Sequence, residues 1–105
     1  MIDELARAPG EVVVKKFRYS AFAGTELDDL LRRTGRETVV CCGVSTNVCV
    51  ESTARNAFDL DYHVVIPRDA VASWDTALHE ASLATAAHRY AVVTTTDEIA
   101  TAWTP

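Results

Sequence analysis

The stretch TVVCCGVSTNVCVESTAR, residues 38–55, holds in one line an apolar run, a small polar turn and the beginning of an amphipathic segment. Its first part, TVVCCG from Thr38 to Gly43, is apolar without alternation, the pattern of a strand covered on both faces in a parallel sheet flanked by helices. Its last part opens a helix from Cys49 to about Leu60. There Val50, Ala54, Ala57 and Phe58 keep the i, i+4, i+7, i+8 rhythm, and Thr46 or Asn47 is available as the N-cap.

Working outward, three more valine-rich runs read as strands: Val12 to Lys16, Tyr62 to Ile66 and Ala91 to Thr95. Between them lie helical patterns. In TELDDLLRRTG, Thr25 is placed to cap with Asp28 completing a capping box, Leu27, Leu30 and Leu31 form one apolar face, and Gly35 supplies the stop. Asp75 to Tyr90 repeats the spacing through Leu78, Ala81, Leu83, Ala87 and Tyr90. TTDEIATAW begins a last helix, with Thr95 and Glu98 placed for a second capping box. The order β-α-β-α-β-α-β-α with short connections predicts an α/β fold, Rossmann-like, with helices on both faces of a mostly parallel sheet. In such sheets ligands bind at the carboxyl ends of strands, and Gly43 to Cys49 is one of those places.

Composition narrows the class. The chain has 105 residues and is 49% hydrophobic, which suits one globular unit. It contains no apolar run long enough to span a membrane, and MIDELARAPGE lacks the basic and apolar regions of a signal peptide, so a cytoplasmic protein is expected. A formal charge of −5 with acids and bases interleaved argues against a nucleic-acid partner. GVSTNV has one glycine where a dinucleotide fingerprint needs three, and no phosphate-loop motif is present.

The three cysteines, Cys41, Cys42 and Cys49, are an odd number, which speaks for reduced thiols rather than a disulfide framework. Cys41 and Cys42 are strand neighbours that point to opposite faces, so they read as packing and not as a metal pair. Cys49 is different. A thiol at the first turn of a helix meets unpaired N–H groups and the positive end of the dipole, which favour thiolate and also suit an oxyanion. The plainer alternative is a small buried hydrophobe. A base is the missing requirement. His63 lies in a strand, and His79 and His88 lie on a helix that reads as structural, so all three are expected at surface or boundary positions. Lys15 and Lys16 end a strand at the same rim as the Gly43 turn, on opposite sides; either is an ordinary solvated lysine or a proton carrier for the thiol.

KFRYSAFAGTELDDLL, VVCCGVSTNVCVESTARNAF, DYHVVIPRDAVAS, LHEASL and VVTTTDEI, in that order and spacing, resemble the second half of the isochorismatase-like cysteine hydrolases. The resemblance covers nearly the whole chain and implies an Asp-Lys-Cys triad on a doubly wound sheet. By motif position Cys49 would be the nucleophile and Lys16 the triad lysine. A cis peptide would join Val44 to Ser45, the amides of Ser45 and Cys49 would form the oxyanion hole, and Tyr19 and Phe22 would be candidate pocket walls. The implied reaction is hydrolysis of a small amide or ureido C–N bond through a cysteine thioester. The run TNVCVEST is closest to ureidoacrylate-type amidohydrolases. No cofactor and no metal are expected, and a homo-oligomer is.

The family aspartate has no counterpart before Val12. Asp3 falls in the segment leading to the lysine strand, and Asp69 matches a position that reads as structural. With a family strand order resembling 3-2-1-4-5-6, residues 1–105 correspond to the C-terminal portion of one such domain, lacking the first two strands. Two expectations follow: a hydrolase portion inactive by itself, or a catalytically inactive remnant that serves as a binding or assembly module.

Overall fold

The computed structural model of the chain describes residues 6–103, so Asp3 lies outside the described residues. Five strands and four α-helices follow one another: α1 (Leu27–Arg33), β1 (Thr38–Val40), β2 (Gly43–Val44), α2 (Glu51–Asp59), β3 (His63–Pro67), β4 (Val71–Ala72), α3 (Thr76–Arg89), β5 (Val92–Thr94) and α4 (Thr96–Trp103). A π-helical turn, Thr46–Val50, leads into α2. β1, β3 and β5 form a parallel sheet in that order, with Thr38 opposite His63 and Val65 opposite Val92. β2 and β4 form a second, two-stranded parallel ladder, with Gly43 opposite Val71.

The core lies on one face of β3. Val64 and Ile66 point into it, and α2 and α3 meet them through Ala54, Ala57 and Ala86, whose missing side-chain bulk lets the helices approach the sheet closely. On the other face Val65 shares a cleft with Ile99 and Ala102 of α4. A mostly parallel sheet with helices on both faces is therefore what the strand and helix order predicted.

Several local expectations are corrected. Val12 to Lys16 forms no strand: Val12 and Val13 are each 64% exposed. A valine-rich segment suits a pleated, half-buried surface, but its backbone needs a paired neighbour, and none of the described strands provides one. Thr38 to Gly43 is not one strand, because the chain leaves β3 after Cys41 and pairs next with β4, an element too short to stand out as a run. β1 is paired on one side only among the described residues; Val39 and Val40 are half-buried and Thr38 is exposed, so the strand is not enclosed on both faces.

The caps also differ. Thr25 Oγ1 accepts the Leu27 N–H at 3.3 Å, but Asp28 completes no box; its carboxylate accepts the Tyr62 hydroxyl at 2.6 Å and a bond from Arg32 at 3.2 Å. A buried phenol needs a partner more than an exposed helix start does. Gly35, at φ 70°, ends α1 as expected: its N–H donates to Arg32 and that of Arg36 to Leu31, a Schellman closure. Asp75 caps α3 by accepting the Leu78 N–H at 3.0 Å. At α4 half of the expected box forms: Thr95 Oγ1 accepts the Glu98 N–H, while the Glu98 carboxylate accepts from Thr94 instead.

Candidate active site

The Cys41 N–H donates to the Val65 carbonyl at 2.9 Å, the last bond tying this segment to β3. Gly43, at φ 114°, then redirects the chain through a conformation L side chains rarely adopt. Its N–H donates to the Ala70 carbonyl at 2.9 Å, and the β2–β4 ladder begins there. The Val44–Ser45 peptide is cis. The Ser45 carbonyl accepts the N–H groups of Val48 and Val50, both at 3.1 Å; the second is an i to i+5 bond that widens the turn over Thr46–Val50. Cys49 is half-buried within this turn, just ahead of α2 rather than at the start of a regular helix.

Neither expected cap caps it. Ser45 is the flanking residue and makes no side-chain cap bond. Thr46 is buried, and its Oγ1 lies 2.7 Å from His79 Nδ1 on α3. Asn47 Oδ1 accepts the Ser73 hydroxyl at 2.6 Å, and Ser73 Oγ accepts the Asp75 N–H at 3.2 Å. Just beyond the turn, Ser82 donates to Glu51 at 2.8 Å. These polar side chains fasten the turn to the residues that begin and form α3.

Lys16 and Cys49 line one cleft of about 330 Å³, shared with Ala21, Cys42, Val44 and Thr53 and running beside β1, past Val39 and Val40. The lysine segment is held there by the Ala21 N–H, which donates to Thr53 Oγ1 of α2 at 2.9 Å. Lys16 Nζ donates to the carbonyls of Arg18 (2.7 Å) and Tyr19 (3.3 Å). No acidic side chain lines this cleft among the described residues. Asp69 is committed elsewhere, accepting the N–H and hydroxyl of Thr96 at 2.9 and 2.7 Å.

The structure separates the three free thiols. Cys41 is in the core, and burial, with Cys42 beside it, pushes its thiol up to about 11. Cys42 is exposed and faces the cleft, so packing inside the strand describes Cys41 alone. Tyr19 is exposed and lines a separate depression with Lys16, Phe17 and Arg18. Phe22 stacks on Tyr62 with ring centroids 5.9 Å apart and packs against the core; it does not line the Cys49 cleft. Among the described residues no group of three His, Cys, Asp or Glu side chains is placed to hold a metal ion. No described helix is long and apolar enough to cross a membrane.

The isochorismatase domain profile matches residues 1–98. The chain belongs to the isochorismatase family. Among its relatives in this family is a ureidoacrylate amidohydrolase, RutB, of Azorhizobium caulinodans, 47% identical over 70 residues, which is 67% of this chain and 31% of that one. The crystal structure of an isochorismatase-like hydrolase from Alkaliphilus metalliredigens superposes with a TM-score of 0.92 at 41% identity, over 98% of this chain and 56% of the other. A cysteine hydrolase from Pseudomonas syringae pv. phaseolicola superposes at 0.90 with 36% identity, over 93% and 51%. The chain thus spans about a third to a half of the length of these isochorismatase-family relatives.

Sequence reasoning missed the contributions of Thr46, Asn47, Ser73 and His79 to the site. Ser73 and His79 stand within segments that carry the family resemblance, but their partners are 26 and 33 residues away, and only the fold pairs them.

Proposed function

We propose that this chain is the cysteine- and lysine-bearing portion of a hydrolase that cleaves a small amide or ureido C–N bond. The observation that carries the reading is that Cys49 and Lys16 line one cleft, which runs beside β1 to the Gly43–Val44 turn beyond its carboxyl end. The Cys49 sulfur attacks the carbonyl carbon, and the amides of Ser45 and Cys49 hold the oxyanion. The C–N bond breaks as the amine departs with a proton relayed by Lys16. Water then attacks the thioester, releasing the acid and returning the thiol. Ureidoacrylate-type substrates are the class favoured by the RutB relative. The remaining proton carrier, an aspartate, is not among residues 1–105 in this reading, so the chain turns over only when an N-terminal portion of the domain is supplied.

The test is a chimera carrying the N-terminal portion of RutB ahead of Met1, assayed for amine release from a ureido substrate. Turnover should appear, and Cys49→Ala should reduce it by about a thousandfold or more. A Cys49→Ala chimera as fast as its parent removes the nucleophile assignment.

A second reading, a non-catalytic assembly module, is favoured by the one-sided pairing of β1 among the described residues and by exposed Phe17, Trp74 and Val92. In that case the chimera stays inactive while the 105-residue chain sediments as a defined oligomer. Both readings place the protein in the cytoplasm, with free thiols and with a homo-oligomeric association.

A further inference from the structure

We propose that His79 is a positioning residue for Cys49, acting through the Thr46 hydroxyl; this inference rests on the nucleophile reading of Cys49. The turn over Thr46–Val50 is closed by backbone bonds of i to i+5 register, wider than an α-helical turn. Side-chain anchors add to these bonds, and the one nearest the start of the turn is at Thr46. Thr46 is 2% exposed, and a hydroxyl at that depth needs a partner. The partner is His79 Nδ1, 2.7 Å away across 33 residues of sequence.

The imidazole is itself held. It stands on the first turn of α3, where the His79 N–H donates to the Asp75 carbonyl and Asp75 caps the helix. Its Nε2 lies 3.9 Å from Glu80 Oε1, beyond hydrogen-bond distance. Nδ1 and the Thr46 hydroxyl share one hydrogen bond, whose direction the imidazole tautomer sets. His79 does not line the cleft that holds Cys49 and Lys16, so it touches neither the reacting sulfur nor a substrate there. Thr46 and Cys49 are three residues apart in one turn, and a turn released at Thr46 re-aims Cys49. Helix α3 thus adds, through His79 and Thr46, a tertiary anchor to the backbone bonds that shape the turn carrying Cys49.

The experiment uses the full chain and reads alkylation of Cys49 by iodoacetamide relative to Cys42 in the same sample, by peptide mass spectrometry, with thermal melts as the fold control. His79→Phe and Thr46→Val should each lower the Cys49 to Cys42 ratio about three- to tenfold. The double variant should fall no further than either single, because the two side chains act as one unit. His79→Asn places an amide where Nδ1 stood and should restore the ratio to within about twofold, as should Thr46→Ser. His79→Gln, which reaches only the Nε2 position, should not.

If His79→Phe fails to fold, Thr46→Val and Thr46→Ser decide the matter. A folded His79→Phe or Thr46→Val at the wild-type ratio overturns the inference while leaving a selective Cys49 intact. A wild-type chain in which Cys49 reacts no faster than Cys42 removes the nucleophile reading, and this inference with it.

Discussion

Asp69 follows β3 at the carboxyl end of the parallel sheet, yet both of its carboxylate oxygens are taken by Thr96, one by the N–H at 2.9 Å and one by the hydroxyl at 2.7 Å. The carboxylate therefore fastens the start of α4 to the end of β3. Bonds from the Thr96 hydroxyl and N–H hold its pKa below the usual carboxylate value. A depressed pKa means that ionised Asp69 adds stability above the unfolded value, and that this is lost as pH falls through the folded one. Asp69→Asn should melt below the wild type at pH 7, with the gap closing as the pH drops below about 4. A gap independent of pH would count against the carboxylate.

Cys41 should resist alkylation in the folded protein. With its thiol at about 11, roughly a thousandth is thiolate at pH 8, and the side chain is buried. Peptide mapping after iodoacetamide treatment should find Cys42 and Cys49 modified and Cys41 untouched until denaturant is added. Early labelling of Cys41 would contradict its place in the core.

Ser73→Ala should destabilise the chain by about 1 to 2 kcal/mol, because Asn47 Oδ1 and the Asp75 N–H lose a common partner. Urea unfolding followed by circular dichroism measures this. Asn47→Ala in the Ser73→Ala background should cost less than in the wild type, since the two share one bond.

Gly43→Ala meets no steric obstacle: an added Cβ has nothing within 4 Å. The cost is in the backbone, at φ 114°, and should be about 1 to 3 kcal/mol. An unchanged unfolding midpoint would show that the turn relaxes to a conformation open to L residues.

Leu83→Ala should cost about 2 to 5 kcal/mol, because Leu83 fills the core between α3 and the sheet. Chemical denaturation gives the value. A loss under 1 kcal/mol would mean that α3 closes over the space.

The sequence by itself determined what depends on periodicity and local geometry. Unalternating TVVCCG announced a parallel sheet, the leucine and alanine spacings announced the helices, Gly35 announced a stop, and the cysteine turn announced the family. Tertiary structure decided what depends on a partner distant along the chain. Val12 to Lys16 has strand composition but, among the described residues, no strand beside it, so composition could not become a ladder. Asp28 had capping geometry, yet the buried Tyr62 hydroxyl claimed its carboxylate. His79 read as a boundary residue, and only the packing of α3 against the cysteine turn gave it Thr46. A buried polar group takes whichever partner the fold brings within about 3 Å, and local sequence carries no record of that choice.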